Sequence, residues 1–432
     1  MRNQQAKSVV TRFNRYITLI VLAFLPVWTL GSRPLPQQVT LKPTVLLISL
    51  DGFRADYLDR GVSPNLKSLI DHGVRAKSMI PAFPSETFPN HYTIVTGNYP
   101  ETNGIVKNSF YDPVSKEVFQ MGTQPANQSK WWGAEPIWIT AEKQGQIAAT
   151  YFWPGSEAVI EGKRATYWKV YDGHVPNSDR VKEVLSWFAM PEDKRPTFIS
   201  LYFSDVDHAG HNSGPDSPEV NESIKQVDTA IGQLIKGLND QKIFGQVNII
   251  VVSDHGMAAV SRERRVFLED YISLSDLEPG HNFVGTNAHL WPLPGKEDKV
   301  LEALSKAPHL KAYKKENTPD YFHYRNNPRI APIVCVADEG WSILLNRRPE
   351  GDRPSREGTG GSHGYDPKLP SMQAIFIAEG PAFKQGLVVP SFENIQVYNI
   401  MASILHLKPA PNNGNLSTVQ TMLKQEQIKA SR

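Results

Sequence analysis

Acidic and histidine side chains follow three apolar segments of the sequence. Asp51 follows the run LLISL, Asp254 and His255 follow IIVVS, and Asp207 and His211 lie just beyond LYFS. Apolar runs of this length predict strands that are buried on both faces of a sheet. In an open α/β sheet, ligands bind at the carboxyl ends of the strands. The sequence therefore predicts that these five side chains meet at one edge of a sheet.

Their chemistry indicates a metal site. Gathered carboxylates repel one another and have raised pKa values unless a cation compensates, and a mixed set of carboxylate and imidazole ligands suits Zn²⁺. His363, in the segment GTGGSHGYD, is a further ligand candidate. The glycines on both sides of it allow tight backbone turns that can bring its side chain to the site. Each residue alone has a more ordinary interpretation, as a helix cap or a structural histidine. The clustering favours the metal site.

A threonine between two prolines is the candidate nucleophile. Thr87 lies in the segment FPSETFPNHYTIVTG and precedes a predicted helical stretch that ends at Gly97. A residue at a helix N-terminus lies where free N–H groups and the helix dipole favour an anion. A threonine hydroxyl is a poor nucleophile at neutral pH, but a bound metal would lower its pKa. The alternative is that Thr87 merely caps the helix.

The elements that must position these residues alternate between strands and helices. Strands are predicted over residues 45–50, 197–203, 247–252 and 374–378. A helix opens at Ser217-Pro218 and weakens near Gly237, and another is predicted to be capped by Asn177 or Ser178. This alternation implies an α/β fold with a mostly parallel sheet covered by helices. The segment 349–364, rich in Gly, Ser and charge, is interpreted as a loop.

Composition excludes several classes of protein. The chain has 432 residues, of which 40% are hydrophobic and 21% charged, so it is globular and long enough to bury a large core. The single cysteine, Cys335, excludes an internal disulfide and a Cys-rich zinc site. The net charge of +2 gives no indication of nucleic-acid binding.

The N-terminal segment predicts export. No Asp or Glu occurs before Asp51, and the basic first residues precede the apolar run 17–30, which is the pattern of a secretory signal. The run is short for a membrane span, which needs about 20 apolar residues, but an uncleaved anchor and a buried helix remain alternatives. We interpret the chain as four parts. They are a signal peptide or N-terminal anchor (1–31), a linker (32–43), one large domain (44–416) and a C-terminal tail (417–432).

From about Thr44 to Asn415 the sequence resembles the nucleotide pyrophosphatase/phosphodiesterase family (type I phosphodiesterases) of the alkaline phosphatase superfamily. The motifs that carry the resemblance are ISLDGFRADYL, FPSETFPNHYTIVTGNYPETNGIVKNSFYDP, FWPGSE, DHAGHNSGP, VVSDHGM and GGSHGYDP. The resemblance implies an alkaline phosphatase-like fold, a three-layer α/β/α sandwich, with two Zn²⁺ ions. It places around one zinc Asp51, Thr87, Asp254 and His255, and around the other Asp207, His211 and His363.

The resemblance also implies catalytic roles. Thr87 would attack phosphorus and form a covalent phosphoryl-threonine, and Asn108 would bind a phosphoryl oxygen together with the Thr87 backbone N–H. We interpret His208 as a neighbour of the metal motif and His91 as structural, and the role of Asp205 is open.

Three aromatic residues bear on the substrate. Phe88, Tyr171 and Tyr202 fall at positions that resemble the family's nucleoside contacts, although a core position is the alternative for Tyr202. The segment 157–175 is long, as in nucleotide-cleaving members. The metal motifs contain no Arg or Lys that would pair with a doubly charged monoester, with Lys107 as the exception to watch. The expected activity is hydrolysis of nucleotide phosphodiester and pyrophosphate bonds, for example of ATP to AMP and pyrophosphate.

Other functions remain open on the sequence alone. They are a phosphodiesterase for lipid or choline head groups, a transferase, and a catalytically inactive binding module tethered to a membrane. The expected location is the bacterial periplasm or cell envelope, with membrane contact only through an uncleaved N-terminal segment. The sequence leaves the oligomeric state open.

Overall fold

An eight-stranded sheet forms the centre of the fold. The computed structural model describes residues 40–347 and 360–425 of the chain. The strands of the chain are β1 (Thr44–Leu50), β2 (Val74–Ala76), β3 (Met79–Ile80), β4 (Ser109–Asp112), β5 (Glu117–Gln120), β6 (Ala148–Tyr151), β7 (Tyr167–Lys169), β8 (Phe198–Phe203), β9 (Val247–Val252), β10 (Ala258–Val260), β11 (Arg265–Phe267), β12 (Asn287–Leu290), β13 (Leu310–Lys314), β14 (Ile333–Ala337), β15 (Ser342–Leu344), β16 (Gly360–Ser362), β17 (Phe376–Glu379), β18 (Leu387–Val389) and β19 (Phe392–Glu393). The helices are α1 (Pro64–His72), α2 (Thr87–Thr96), α3 (Pro100–Asn103), α4 (Ile137–Lys143), α5 (Asn177–Phe188), α6 (Asp205–Ser213), α7 (Pro218–Asp240), α8 (Glu297–Leu304) and α9 (Gln396–Ile404).

The central sheet is mostly parallel, as predicted. Its strand order is β18-β2-β17-β9-β1-β8-β6-β7. Strand β1 pairs in parallel with β8 and β9, and β6 continues the parallel run, whereas β17 is antiparallel to both of its neighbours. The three apolar runs identified in the sequence therefore lie side by side at the centre of the sheet.

Helices cover both faces of this sheet and complete three layers. Because side chains alternate along a strand, Leu46 and Ile48 of β1 pack against α1, α5 and α7, while Val45 and Leu47 pack against α2, α4 and α9. A smaller three-stranded sheet, β12-β14-β13, packs with α8 in a separate apolar cluster. The predicted α/β/α sandwich is confirmed.

Several local expectations need correction. Neither Asn177 nor Ser178 caps α5: the preceding residue is Pro176, and the Asn177 side chain donates to Asp205 Oδ1 at 2.9 Å. The strand expected at residues 374–378 begins only at Phe376, because Ala374 forms isolated bridges instead.

The helix over residues 218–240 follows its prediction more closely. Ser217 Oγ accepts the Val220 N–H at 3.3 Å, which confirms the expected start, and the helix continues past Gly237 to Asp240. Of the segment 349–364, only residues 360–364 are described, and residues 360–362 form a strand and not a loop, because β16 pairs with β10.

The N-terminal predictions lie largely outside the described residues. The signal or anchor at 1–31, most of the linker at 32–43 and residues 426–432 of the tail lie outside the described residues, so these boundaries stay predictions. Within residues 40–347 and 360–425, no helix combines the length and apolar character that crossing a membrane requires.

Candidate metal centre and active-site cavity

The strand ends gather the predicted ligands. Leu50 at the end of β1 is level with Phe203 at the end of β8, and the Asp51 N–H donates to the Phe203 carbonyl at 2.9 Å. Asp254 and His255 follow the end of β9 after one residue, Ser253. Helix α6 begins just after β8, and its Asp207 and His211, four residues apart, share one helix face.

His363 reaches the same edge by a different route. It follows β16, which pairs with β10, and β10 in turn begins shortly after His255. The rings of His255 and His363 consequently stack, with centroids 3.5 Å apart and an interplanar angle of 12°. The pairing of two short strands thus brings a ligand from the end of the chain to the centre of the site.

The ligand candidates form two groups. Asp51, Asp254 and His255 make one group, Asp207, His211 and His363 the other, and the ligand atoms within each lie within 4.8 Å of one another. In the first group, His255 Nε2 lies 2.9 Å from Asp254 Oδ2 and 3.5 Å from Asp51 Oδ1. In the second group, Asp207 Oδ1 lies 3.3 Å from His211 Nε2 and 3.6 Å from His363 Nε2.

Unpartnered carboxylate oxygens show that these groups fit cations. Within the described part of the chain, Asp51 Oδ1, Asp207 Oδ1 and Asp254 Oδ2 are buried and have no hydrogen-bond partner. They are the same atoms that face the imidazole nitrogens in the two groups. A buried charged oxygen without a partner is costly unless it is paired or coordinates a metal.

Backbone hydrogen bonds orient the three histidines of these groups for metal binding. The Nδ1–H groups of His211, His255 and His363 each donate to a backbone carbonyl at 2.9 Å, which leaves Nε2 of each ring as the atom available to a metal. The Nε2 atoms of His211 and His363 face each other at 3.1 Å. Two lone pairs at this distance repel unless a proton or a metal ion lies between them. The donor set therefore fits two divalent cations.

The pKa values follow from burial and from these neighbours. Burial raises the pKa of Asp51 well above its ordinary value, and the charges of Asp254 and Asp207 raise it further. Burial would also raise the pKa of Asp254, but the imidazoles of His255 and His91 hold it well below its usual range. Burial, followed by the nearby His255 and His211, lowers the pKa of His363, which favours its neutral form.

Thr87 lies next to the first group. It is the first residue of α2 and not its cap, a position that belongs to Glu86, and its Oγ1 is 3.2 Å from His255 Nε2. Its neighbour Phe88 donates its N–H to Asn108 Oδ1 at 2.9 Å. Because an amide oxygen only accepts, the Asn108 side chain can donate to a ligand only through Nδ2. The structure thus brings the predicted nucleophile and the predicted phosphoryl-binding amide together at one helix N-terminus.

A cavity of about 450 Å³ opens in front of Thr87. Its lining includes one carboxylate from each group, Asp51 and Asp207. It also includes the three predicted aromatic residues Phe88, Tyr171 and Tyr202. Asn108 is not part of this lining among the described residues. The Tyr202 hydroxyl donates to Asp51 Oδ2 at 2.6 Å, so Tyr202 contacts both the cavity and a ligand candidate.

The sequence did not single out several other wall residues. Glu157 accepts the Tyr171 N–H at 2.9 Å and the Asn127 side-chain amide at 2.8 Å, and it thereby fixes the side of the cavity that carries Tyr171. Phe152 and Trp153 also line the cavity, and Phe152 has a φ of 64°. The motif FWPGSE signalled this segment, but the link to Asn127 had no signal in a single sequence.

The remaining residues of the sequence analysis have clear positions. Lys107 does not face the cavity among the described lining residues: it forms an ion pair with Glu86 and donates to Asn287 Oδ1 at 2.7 Å. Burial would raise the pKa of Glu86, but the Lys107 charge and the Asn108 N–H keep it below its ordinary value.

His91 and His208 differ in burial. His91 is fully buried, with Nε2 2.8 Å from Ser49 Oγ and Nδ1 2.9 Å from the Thr87 carbonyl, which agrees with a structural role. His208 is exposed and lines the cavity beside Asp207, outside the two ligand groups. Asp205 accepts a hydrogen bond from Asn177.

Fold and site together define an alkaline phosphatase-like α/β/α domain with a candidate two-metal centre. The family described as "Type I phosphodiesterase / nucleotide pyrophosphatase" matches residues 45–366. The chain therefore belongs to the type I phosphodiesterase/nucleotide pyrophosphatase family.

Similar proteins support this assignment. A venom phosphodiesterase of Naja atra is 40% identical over 392 residues, which cover 88% of this chain and 46% of the relative. An uncharacterized pyrophosphatase/phosphodiesterase of Schizosaccharomyces pombe is 41% identical over 392 residues, which cover 86% of this chain and 78% of that protein. The chain spans about half the length of several of the curated relatives it matches.

Solved structures agree with the fold. The murine ectonucleotide pyrophosphatase/phosphodiesterase 5 has a TM-score of 0.82 and 37% identity, covering 88% of this chain and all of the other. An inactive form of the same murine protein in complex with AMP has a TM-score of 0.83 and 36% identity, covering 89% of this chain and 100% of that chain.

Proposed function

We propose that the chain is a metal-dependent hydrolase of nucleotide phosphodiester and pyrophosphate bonds, for example of ATP to AMP and pyrophosphate. The observation that carries the proposal is the position of Thr87. Its hydroxyl lies at a helix N-terminus, next to His255 of one Asp/His group, and Thr87 lines a cavity that has aromatic walls and one carboxylate of each group. The family and the similar proteins point to the same reaction class.

The chain's own residues divide the chemistry. The Thr87 hydroxyl loses its proton to water, and Oγ1 attacks the phosphorus in line. A bond from Oγ1 to phosphorus forms, and the bond to the departing pyrophosphate or alcohol breaks. Water then cleaves the phosphoryl-threonine and releases the nucleoside monophosphate. The Thr87 N–H lies in the first turn of α2, where N–H groups have no partners within the helix. It can therefore donate to a phosphoryl oxygen, together with Asn108 Nδ2.

Both metal ions are proposed to be Zn²⁺. One would be held by Asp51, Thr87, Asp254 and His255, and the other by Asp207, His211 and His363. When bound, the ions lower the pKa of the Thr87 hydroxyl and neutralise charge on the phosphoryl oxygens. Imidazole and carboxylate donors together suit Zn²⁺ better than Mg²⁺, which prefers oxygen ligands. Metal analysis should find two zinc ions per chain, and His363→Ala should lose the second.

The aromatic walls favour a nucleotide over a lipid head group. Phe88 and Tyr171 both line the cavity, and stacking of a base on an aromatic ring contributes about 1–3 kcal/mol. The murine relative in complex with AMP supports this assignment.

A substrate panel tests the proposal. The zinc-loaded protein should hydrolyse the p-nitrophenyl ester of a nucleoside 5′-monophosphate much faster than p-nitrophenyl phosphorylcholine or a lysophospholipid. The reverse order would assign the site to head-group diesters. Thr87→Ala should abolish turnover with zinc still bound, while Thr87→Ser, which keeps a hydroxyl, should retain part of it. Full activity of Thr87→Ala would exclude the covalent step.

The N-terminal segment is proposed to direct export to the bacterial periplasm or cell envelope. The support is the basic start, the apolar run at residues 17–30 and the polar segment that follows. N-terminal sequencing of protein recovered from fractionated cells should find a chain that begins near residue 32. An intact N-terminus in the membrane fraction would show an anchor, and an intact N-terminus in the cytoplasm would contradict export.

A further inference from the structure

A buried charged triangle lies behind Thr87. Glu86, Lys107 and Asn287 are only 6%, 6% and 1% exposed. The Lys107 ammonium pairs with Glu86 Oε1 and donates to Asn287 Oδ1 at 2.7 Å, and Asn287 Nδ2 donates back to Glu86 Oε1 at 2.8 Å. All three sides of the triangle are therefore closed by direct contacts between groups from three distant parts of the chain.

Each corner of the triangle is attached to a part of the site. Glu86 immediately precedes Thr87, and its second oxygen, Oε2, accepts the Asn108 N–H at 2.7 Å. Asn287 Nδ2 also donates to the Gly364 carbonyl at 2.9 Å, next to His363. The triangle thus joins the nucleophile, the phosphoryl-binding amide and the loop of one ligand candidate without itself lining the cavity among the described residues.

Burying these charges needs a reason beyond stability. A buried ion pair can often be replaced by apolar residues at little or no loss of stability, because taking two charges out of water offsets most of their attraction. What an apolar replacement would not provide is a fixed geometry for the Asn108 backbone. A displacement of about 1 Å at a catalytic group can lower a rate about 100-fold.

We propose that Glu86 and Lys107 are positioning residues that hold Asn108 at a fixed place relative to Thr87. The Glu86 carboxylate fixes the backbone of Asn108 through Oε2, and Lys107, braced by Asn287, fixes the carboxylate through Oε1. The side chain of Asn108 is then held by the Phe88 N–H on the other side. This inference rests on the proposed function, because the geometry it protects is that of the phosphoryl transfer.

The test compares Glu86→Gln and Lys107→Met with the wild type, all as full-length, zinc-loaded protein. With a p-nitrophenyl nucleotide ester, kcat should fall about 10- to 100-fold in each variant. The KM should change little, because the triangle does not contact the base, and zinc content should stay at the wild-type value.

Asp228→Asn is the matched control. Asp228 is a buried carboxylate that accepts the N–H groups of Asn65 and Leu66 at 3.1 and 2.8 Å, in a part of the fold outside the cavity lining. This control should lower the Tm without lowering kcat. If Glu86→Gln and Lys107→Met behave like the control, with a lower Tm and an unchanged kcat, the residues are structural and the inference is wrong.

The double variant Glu86→Gln/Lys107→Met covers the case in which a single variant does not fold. It leaves no unpaired buried charge, so its Tm should approach the wild-type value while its kcat stays low. A double variant with wild-type kcat would overturn the inference, as would a loss of activity that follows a loss of zinc. A wild-type protein that is inactive on every diester would instead contradict the proposed function.

Discussion

The hydrogen bond between Tyr202 and Asp51 offers a test of how the metal centre is held. Tyr202 is 7% exposed, and its hydroxyl is 2.6 Å from Asp51 Oδ2, while Oδ1 of the same carboxylate faces His255. Tyr202→Phe removes only the hydroxyl. The ring keeps its contacts with Tyr171 and His91, whose centroids lie 6.1 and 5.2 Å away. The variant therefore separates the hydrogen bond from the packing.

The expected magnitude follows from the charge of the acceptor. A hydrogen bond to a charged group contributes about 1.5–3 kcal/mol, and each 1.4 kcal/mol corresponds to about a tenfold change in an equilibrium constant. Without the hydroxyl, the Asp51 carboxylate is free to turn away from the orientation that directs Oδ1 into the site. We expect the zinc affinity of the group formed by Asp51, Asp254 and His255 to fall about 10- to 100-fold.

Competition with a chromogenic chelator measures this affinity directly. The first zinc to be removed from Tyr202→Phe should be the one bound at the Asp51 group, and the other should retain its wild-type affinity. With excess zinc, the KM for a nucleotide ester should be close to that of the wild type, because the ring is unchanged. A variant with wild-type zinc affinity would refute the view that this hydroxyl orients the ligand.

Three further predictions concern the cavity and the metals. Tyr171→Ala should raise the KM for a nucleotide ester by about 5- to 150-fold, which corresponds to the loss of one stacking contact. The KM for bis-p-nitrophenyl phosphate, which has no base, should be unchanged. Equal effects on both substrates would show that Tyr171 does not contact the base. Gly52→Ala should lower metal content, because the φ of Gly52 is +67° and an added Cβ would lie 2.8 Å from Asp207 Cα. Gly61→Ala is the control: its φ of +72° is similar, but an added Cβ would meet no atom within 4 Å, so this variant should keep both metals. Removal of the metals by a chelator should lower the Tm, since a ligand at about 100 times its Kd stabilises the fold by about 2.7 kcal/mol; an unchanged Tm would contradict binding to the folded state.

The ligands that lie closest to the strand ends were readable from the sequence. Asp51 follows β1 at once, and Asp254 and His255 follow β9 after Ser253. The two strands are apolar at every position but Thr44, Ser49 and Asn248, so parallel pairing alone fixes where these ligands meet. This inference needs only the rule that strand ends share an edge.

Contacts between distant segments explain what the sequence did not reveal. β16 consists of Gly-Gly-Ser, which has no local preference for a strand, and it pairs with β10 because glycine permits a close approach to α6: a Cβ at Gly361 would lie 2.5 Å from the Gly210 carbonyl. Likewise, Asn177 does not cap α5 but donates to Asp205, and Lys107, whose role the sequence left open, pairs with Glu86. Each of these outcomes depends on a neighbour that lies far away in sequence.

The backbone carbonyls that receive the three ligand imidazoles have a consequence for sequence variation. They belong to Ser85, Gly256 and Gly361, and a carbonyl is present whichever amino acid occupies a position. A side-chain replacement at these positions can therefore not delete the acceptor, and only a change in the course of the main chain can reorient the rings. The tautomer of each imidazole is in this way set by the main chain, and at Gly256 and Gly361 the course of the main chain itself depends on glycine, because an added Cβ would lie 2.1 and 2.5 Å from a backbone carbonyl oxygen.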